Sequence, residues 1–219
     1  MQVRYVDAIN EALHKIMRKD SKVFVIGQGV TSPWYVGGTC KGLLETFGMD
    51  RVIDTPVSEN AVTGLAVGAA VMGMKPIVVF PRMDFMLYAM DPIINQAAKW
   101  SYMFGGAMSV PLVIWAIINR KGSQGSQHSQ DFAWIFDEIP GLKVVRPTNA
   151  QEAVGYLKWA VDEPNPVIFV DNRELYETVG EVSYVKKIPK YLRPYPFCPA
   201  PASESLERRF YDEVESSIY

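Results

Sequence analysis

Two titratable side chains in this sequence stand where a carboxyl group and an imidazole could act on a bound ligand. Glu59 follows Asp54-Thr-Pro-Val-Ser58, a strand end running into a helix of small residues, with Ser58 as the expected N-cap. A carboxyl group there can exchange a proton with a ligand, or it can sit in a first helical turn only because the helix dipole favours an acid. His128 lies near the end of Asn119-Arg-Lys-Gly-Ser-Gln-Gly-Ser-Gln-His-Ser-Gln130, a polar loop after an apolar strand. An imidazole there suits proton handling; the competing reading is a solvated loop residue. A third stretch, Phe80-Pro-Arg-Met-Asp-Phe85-Met-Leu-Tyr-Ala-Met-Asp91, carries rings and methionines just past another strand. There they stack on a planar ligand or pack into the core. His14 sits in an amphipathic helix and reads as a surface or partly packed residue. Cys40 and Cys198 supply neither a disulfide framework nor a Cys/His zinc site, so no metal ligands are assigned to this chain. The Gly-x-Gly-x-x-Gly and Gly-x-x-x-x-Gly-Lys-Ser/Thr phosphate cradles are missing.

These residues need elements to hold them. From Val6 to Met17 apolar residues recur at helical spacing, predicting an amphipathic first helix. Short apolar runs at 22–26, 51–54, 76–80, 111–117, 142–145 and 166–170 read as strands, most of them separated by enough chain for a helix. That alternation predicts an α/β fold, a mostly parallel sheet flanked by helices, and in such sheets ligands bind beyond the carboxyl ends of the strands. The helix from Ser58 to about Met72 carries Gly64 and Gly68 on one face. Each glycine costs about 1 kcal/mol relative to alanine, which implies close packing either on the chain's own sheet or on another subunit. Residues 1–176 form the expected domain. Residues 177–219 read as a Pro-rich extended tail with a short helix near 203–218.

Composition narrows the function classes. The 219 residues are 48% hydrophobic and carry a formal net charge of −2, enough apolar material for one core and no electrostatic footprint for nucleic acid. The chain opens directly into a helical pattern and no stretch is long and apolar enough for a membrane span, so a soluble, unprocessed cytoplasmic protein is expected.

Five segments in order, Arg51-Val-Ile-Asp-Thr-Pro-Val-Ser-Glu59, Gly64-Leu-Ala-Val-Gly-Ala-Ala, Asp91-Pro-Ile-Ile-Asn95-Gln-Ala-Ala-Lys99, Gln127-His-Ser-Gln130 and Pro140-Gly-Leu-Lys-Val-Val-Arg-Pro147, give a resemblance to a known family. Over about residues 3 to 176 the chain resembles the pyrimidine-binding domain of the beta subunit of 2-oxo acid dehydrogenase decarboxylating components, relatives of transketolase. The resemblance implies thiamine diphosphate as cofactor. It implies that Glu59 gives a proton to the pyrimidine ring, a role that burial among apolar residues would favour, and that Phe85 stacks on that ring with Val57 and Met83 as neighbours. By the same carry-over His128 faces the substrate carbonyl, beside Gln127. The diphosphate and Mg²⁺ are held in the family by a Gly-Asp-Gly motif on an alpha-type subunit, and this sequence has no such motif. The implied assembly is a heterotetramer or heterodimer with that partner.

The sequence departs from the family pattern in three places. Gln28 stands where a Glu commonly follows the first strand. The loop before His128 is altered, and there Arg120 or Lys121 would pair with an anionic group of the substrate or remain solvated. Past Tyr176 the family continues into a second α/β domain, whereas here Cys198 through Ile218 looks like the extreme carboxyl end of longer members. That pattern suggests a compact protein outside a large multienzyme complex. The expected function is therefore a beta-type enzyme subunit acting on a 2-oxo acid or ketone donor by decarboxylation or two-carbon or acyl transfer. Its rival is a non-catalytic regulatory or scaffold subunit of the same fold.

Overall fold

In the computed structural model, residues 2–122 and 124–183 are described. The chain begins with β1 (Gln2–Arg4) and α1 (Tyr5–Lys19), then β2 (Val23–Gly27), α2 (Leu43–Phe47), β3 (Val52–Asp54), α3 (Glu59–Val71) and β4 (Lys75–Phe80). A 3₁₀ segment (Met83–Ala89) and a π-helical segment (Asp91–Ala97) lead into α4 (Ala98–Met103). The remaining elements are β5 (Val113–Ile118), a 3₁₀ turn (Ser126–His128), α5 (Ala133–Asp137), β6 (Lys143–Val145), α6 (Ala150–Asp162), β7 (Val167–Asn172), a 3₁₀ turn (Arg173–Leu175) and β8 (Val179–Glu181). Six strands form one sheet in the order β3-β2-β4-β5-β7-β6, and each neighbouring pair is parallel. Every strand expected from the sequence is present, its ends within two residues of the expected ones.

Both faces of the sheet are covered, which is why its strands read as continuous apolar runs. Alternate residues feed two cores. Val23, Val25, Ile77, Val79, Trp115 and Phe169 face the layer of α1 and α6. Phe24, Ile26, Val78, Phe80, Ile114 and Ile168 face α3 and the Met83–Ala97 segment.

Three details differ from the sequence expectation. The first helix begins at Tyr5, because residues 2–4 pair antiparallel with residues 179–181, Val3 opposite Gly180. Regular structure thus extends past the expected boundary at 176, through strands of three residues whose pattern is too short to read. The stretch after β4 is helical but unevenly wound, with Pro92 early in its π-helical part. On α3, Thr63, Ala66, Val67 and Ala70 face the chain's own sheet, while Gly64 and Gly68 have nothing within 4 Å of where a Cβ would stand. The glycine pair therefore does not serve contact with that sheet. The expected helix at 203–218, the prolines of the tail and Cys198 lie outside the described residues. Among the described residues, no helix is long and apolar enough to cross a membrane.

Two of the family-like segments dock on each other, which accounts for their spacing. Lys99 Nζ donates to the Pro140 carbonyl at 2.8 Å, and Asn95 donates to Asp91 at 2.9 Å. Gly141 has φ +91°, and a Cβ there would stand 1.9 Å from the carbonyl oxygen of Ala98. Only glycine allows that approach.

Candidate active site

Because the sheet is parallel, the carboxyl ends of its strands lie along one edge, and the chain leaving each strand turns over that edge. Gln28 follows β2, Glu59 follows β3 by five residues, Arg82 and Phe85 follow β4, His128 follows β5 in a long loop, and Arg173 follows β7. All six line one cleft of about 350 Å³. Gly27 ends β2 at φ +154°, and a Cβ there would lie 2.4 Å from the Val79 carbonyl oxygen, so glycine lets β2 pass β4 closely and turn Gln28 into the cleft.

Glu59 is the first residue of α3 and is half-buried. Its Oε1 accepts a hydrogen bond from Gln28 Nε2 at 3.3 Å. Ser58 occupies the N-cap position, but its side chain makes no capping bond. The loop between Gln28 and Thr31 is tied to β3 through Asp54, which accepts from the Gly29 and Thr31 amides at 2.9 and 3.2 Å and from the Thr31 hydroxyl. Partial burial disfavours the Asp54 charge, yet these donors together hold its carboxyl below the usual range.

Phe85 and His128 meet edge to face across the cleft, ring centroids 5.0 Å apart at 81°. Their relative placement is set close by on each side. Asp84 is buried, and its Oδ1 accepts from Gln130 Nε2 at 2.9 Å and from the Gln130 amide at 3.2 Å. The second glutamine of the Gln127-His-Ser-Gln130 segment is therefore the anchor of the His128 loop, and the carboxylate next to Phe85 is what it anchors to. Ser129 Oγ donates to the Gly125 carbonyl at 3.0 Å and tightens the same turn.

With this geometry the chain can be set beside known proteins. Residues 1–178 match the family model described as transketolase, pyrimidine binding domain. The chain belongs to that family. It is 42% identical over 189 residues to the pyruvate dehydrogenase E1 component subunit beta, mitochondrial, of Saccharomyces cerevisiae, covering 86% of this chain and 52% of that protein. It is 44% identical over 175 residues to the corresponding mitochondrial protein of Pisum sativum, 80% of this chain and 49% of that one. The pyruvate dehydrogenase E1 component subunit beta of Rickettsia conorii is 40% identical over 197 residues, 90% of this chain and 59% of that protein. The chain thus spans about half the length of the curated relatives it matches. A solved structure described as a split gene transketolase, inactive beta4 tetramer, shares the fold with a TM-score of 0.63 at 18% identity, over 78% of this chain and 52% of that chain.

Within this pyrimidine-binding domain, the remaining residues singled out by sequence fall outside the cleft. Met83 is fully buried beneath it, where its sulfur accepts from the Phe132 amide at 3.4 Å. Val57 is 76% exposed ahead of α3. Gln127 is exposed, and Gln124 of the same loop lines the cleft instead. Arg120 is exposed and sits 3.6 Å from Asp131, and Lys121 is exposed. Among the described residues, no group of three or more His, Cys, Asp or Glu side chains is arranged to hold a metal ion.

Sequence reasoning passed over Arg82, Arg173 and a buried acid behind them. Arg82 donates to Gln124 Oε1 and to the Pro81 carbonyl. Arg173 reaches the carbonyls of Trp34 and Tyr35 at 3.4 and 3.5 Å. Both follow strand ends by one or two residues, a positional signal that the chain order alone carries. Asp171, fully buried near the end of β7, accepts from Tyr176 at 2.6 Å and from Trp115 Nε1 at 3.0 Å. Burial pushes the Asp171 carboxyl up to about 6, against the opposing pull of the Tyr176 and Trp115 donors.

Proposed function

We propose that this chain is the beta-type component of a heteromeric enzyme that uses thiamine diphosphate on a 2-oxo acid or related ketone donor. The observation that carries the reading is the convergence of Glu59, Phe85 and His128 on one cleft at the carboxyl edge of the sheet. A half-buried carboxyl group and a partly exposed ring at 5.0 Å from an imidazole suit a flat heterocycle with a ring nitrogen to be hydrogen-bonded. In this reading Glu59 holds a proton against that nitrogen, and Gln28 fixes the carboxyl rotamer. Phe85 stacks on the ring, while Val57 and Met83 stay outside the cleft. His128, positioned through Gln130 and Asp84, faces the donor carbonyl and moves a proton at its oxygen, and Gln124 rather than Gln127 of its loop lines the cleft. When bound, the cofactor supplies the carbon nucleophile that no protein side chain provides.

Diphosphate and Mg²⁺ are assigned to an alpha-type partner bearing the Gly-Asp-Gly motif, in a heterodimer or heterotetramer located in the cytoplasm. The surface that supports such docking is the outer side of α3, where Leu65, Gly68 and Met72 are exposed along the helix that carries Glu59. Co-expression with that partner, followed by calorimetry with thiamine diphosphate and Mg²⁺ and by turnover assays on 2-oxo acids, tests the reading. Wild type should bind and turn over, and Glu59→Ala should lose turnover by about 10²- to 10⁴-fold, the range of a positioned proton-transfer group. Equal rates for the two pairs would remove Glu59 from the chemistry.

A further inference from the structure

Two guanidinium groups share the cleft with Glu59 and His128, and their surroundings leave them underused. Arg82 and Arg173 reach it from the ends of β4 and β7, the strands on either side of β5. A guanidinium has five N–H donors. Among the described residues, Arg82 donates to Gln124 and the Pro81 carbonyl, and Arg173 makes two long contacts to main-chain carbonyls and stands 6.0 Å from the Tyr176 ring centroid. Among the described residues neither has a carboxylate within 4.0 Å, whereas Arg120 and Arg146 beside the same loop both reach Asp131, and Arg146 also reaches Asp137. Partial burial and the nearby charge of Arg173 both disfavour the Arg82 cation. Asp84 offsets part of this for Arg82, and Asp171 interacts with Arg173, but among the described residues no carboxylate pairs directly with either guanidinium. Two like charges in one concave site raise the local positive potential, and an anion entering between them relieves it.

We infer that Arg82 and Arg173 form an anion-binding wall that selects a substrate carrying a second anionic group, carboxylate or phosphate, beyond the reacting carbonyl. The inference rests on the cleft being the reaction site. The planar fork of each guanidinium matches either anion in a bidentate manner, which an ammonium cannot. A substrate with an apolar tail leaves both cations unmatched and gains nothing from them. Arg120 and Lys121, the basic residues of the His128 loop, do not line the cleft, so the anion is met from β4 and β7 instead.

The test uses the full chain with its alpha-type partner, thiamine diphosphate and Mg²⁺. As donors, 2-oxoglutarate is compared with 2-oxopentanoate, which replaces the distal carboxylate by a methyl group. As acceptors, glyceraldehyde 3-phosphate is compared with glyceraldehyde. In at least one pair the anionic member should have the higher kcat/KM, and the pair that responds tells carboxylate from phosphate. Arg82→Gln should lower that anionic-to-neutral ratio about 10- to 100-fold, the size expected for hydrogen bonds to a charged group. Because Arg173 also holds two carbonyls, Arg173→Lys is the companion variant, its thermal unfolding read alongside the ratio.

Calorimetric titration of the full chain alone with 2-oxoglutarate and with inorganic phosphate gives a readout independent of turnover. Heat of binding that Arg82→Gln abolishes supports the anion wall. A ratio near one in both pairs, or a ratio unmoved by both substitutions, overturns it. Turnover of no 2-oxo acid at all would instead sink the reading of the cleft as a thiamine site, while the titration still decides whether the arginines bind anions.

Discussion

Replacing Asp171 with asparagine should change how the stability of this chain depends on pH. In the folded chain the carboxyl is fully buried and its pKa is raised from 3.8 to about 6, chiefly by desolvation. In the unfolded chain it returns to the ordinary value. Between pH 3.8 and about 6 the native state therefore binds more protons than the unfolded state, and stability falls as pH rises through that window. A shift of about two units at about 1.4 kcal/mol per unit amounts to about 3 kcal/mol when the window is fully crossed. Asparagine does not titrate, so the variant lacks this component. Changed hydrogen bonding to Tyr176 and Trp115 adds an offset at every pH, and the signal is the part that varies. Urea unfolding followed by tryptophan fluorescence at a series of pH values from about 4 to about 7 gives the stability difference between variant and wild type. That difference should move in favour of the variant by about 2 to 3 kcal/mol across the series. A difference that stays flat within about 0.5 kcal/mol would show that Asp171 ionises in the fold as it does in water, and the account of its burial would be wrong.

Further expectations concern other parts of the fold. Trp115→Phe removes the indole donor to Asp171 while keeping most of the ring, and should cost about 1 to 3 kcal/mol in the same urea titration near neutral pH. Gly68→Ala has open space for its methyl group and should stabilise the isolated chain by about 1 kcal/mol through helix propensity. The same substitution should weaken association with the proposed alpha-type partner in a pull-down or sedimentation assay; unchanged association would move that partner off the outer side of α3. Gln130→Ala frees the His128 loop from Asp84 and, in the proposed heteromeric enzyme, should lower kcat more than it lowers thiamine diphosphate binding. Equal losses in both would argue against a positioning role for Gln130.

Much of the fold was legible because parallel strands buried on both faces leave a continuous apolar signature, as in Val23 to Ile26 and Val113 to Ile118. The β1–β8 pair was not, since three-residue strands show no period and their pairing joins residues far apart in the chain. At the site, Glu59, Phe85 and His128 were visible as residue types placed after strands. Gln130 and Asp84 stood in segments already singled out, yet nothing in the sequence tells that one carboxylate accepts twice from one glutamine 46 residues away.

The sequence by itself determined the layer architecture and the family, and it singled out an acid and an imidazole that line the cleft, because these depend on local pattern and on residues taken in chain order. Only tertiary structure decided which cations face the cleft. Arg120 and Lys121 lie in the same loop as His128 and looked nearer to it, yet Arg82 and Arg173, from two other strands, line its cleft. The physical reason is the parallel sheet: it gathers the carboxyl ends of strands distant in sequence onto one edge, so spatial neighbours come from different crossings of the sheet. The buried Asp171 belongs with them: burial raises its pKa, and the hydrogen-bond donors that oppose the rise come from Tyr5, Trp115 and Tyr176, in three separate parts of the chain.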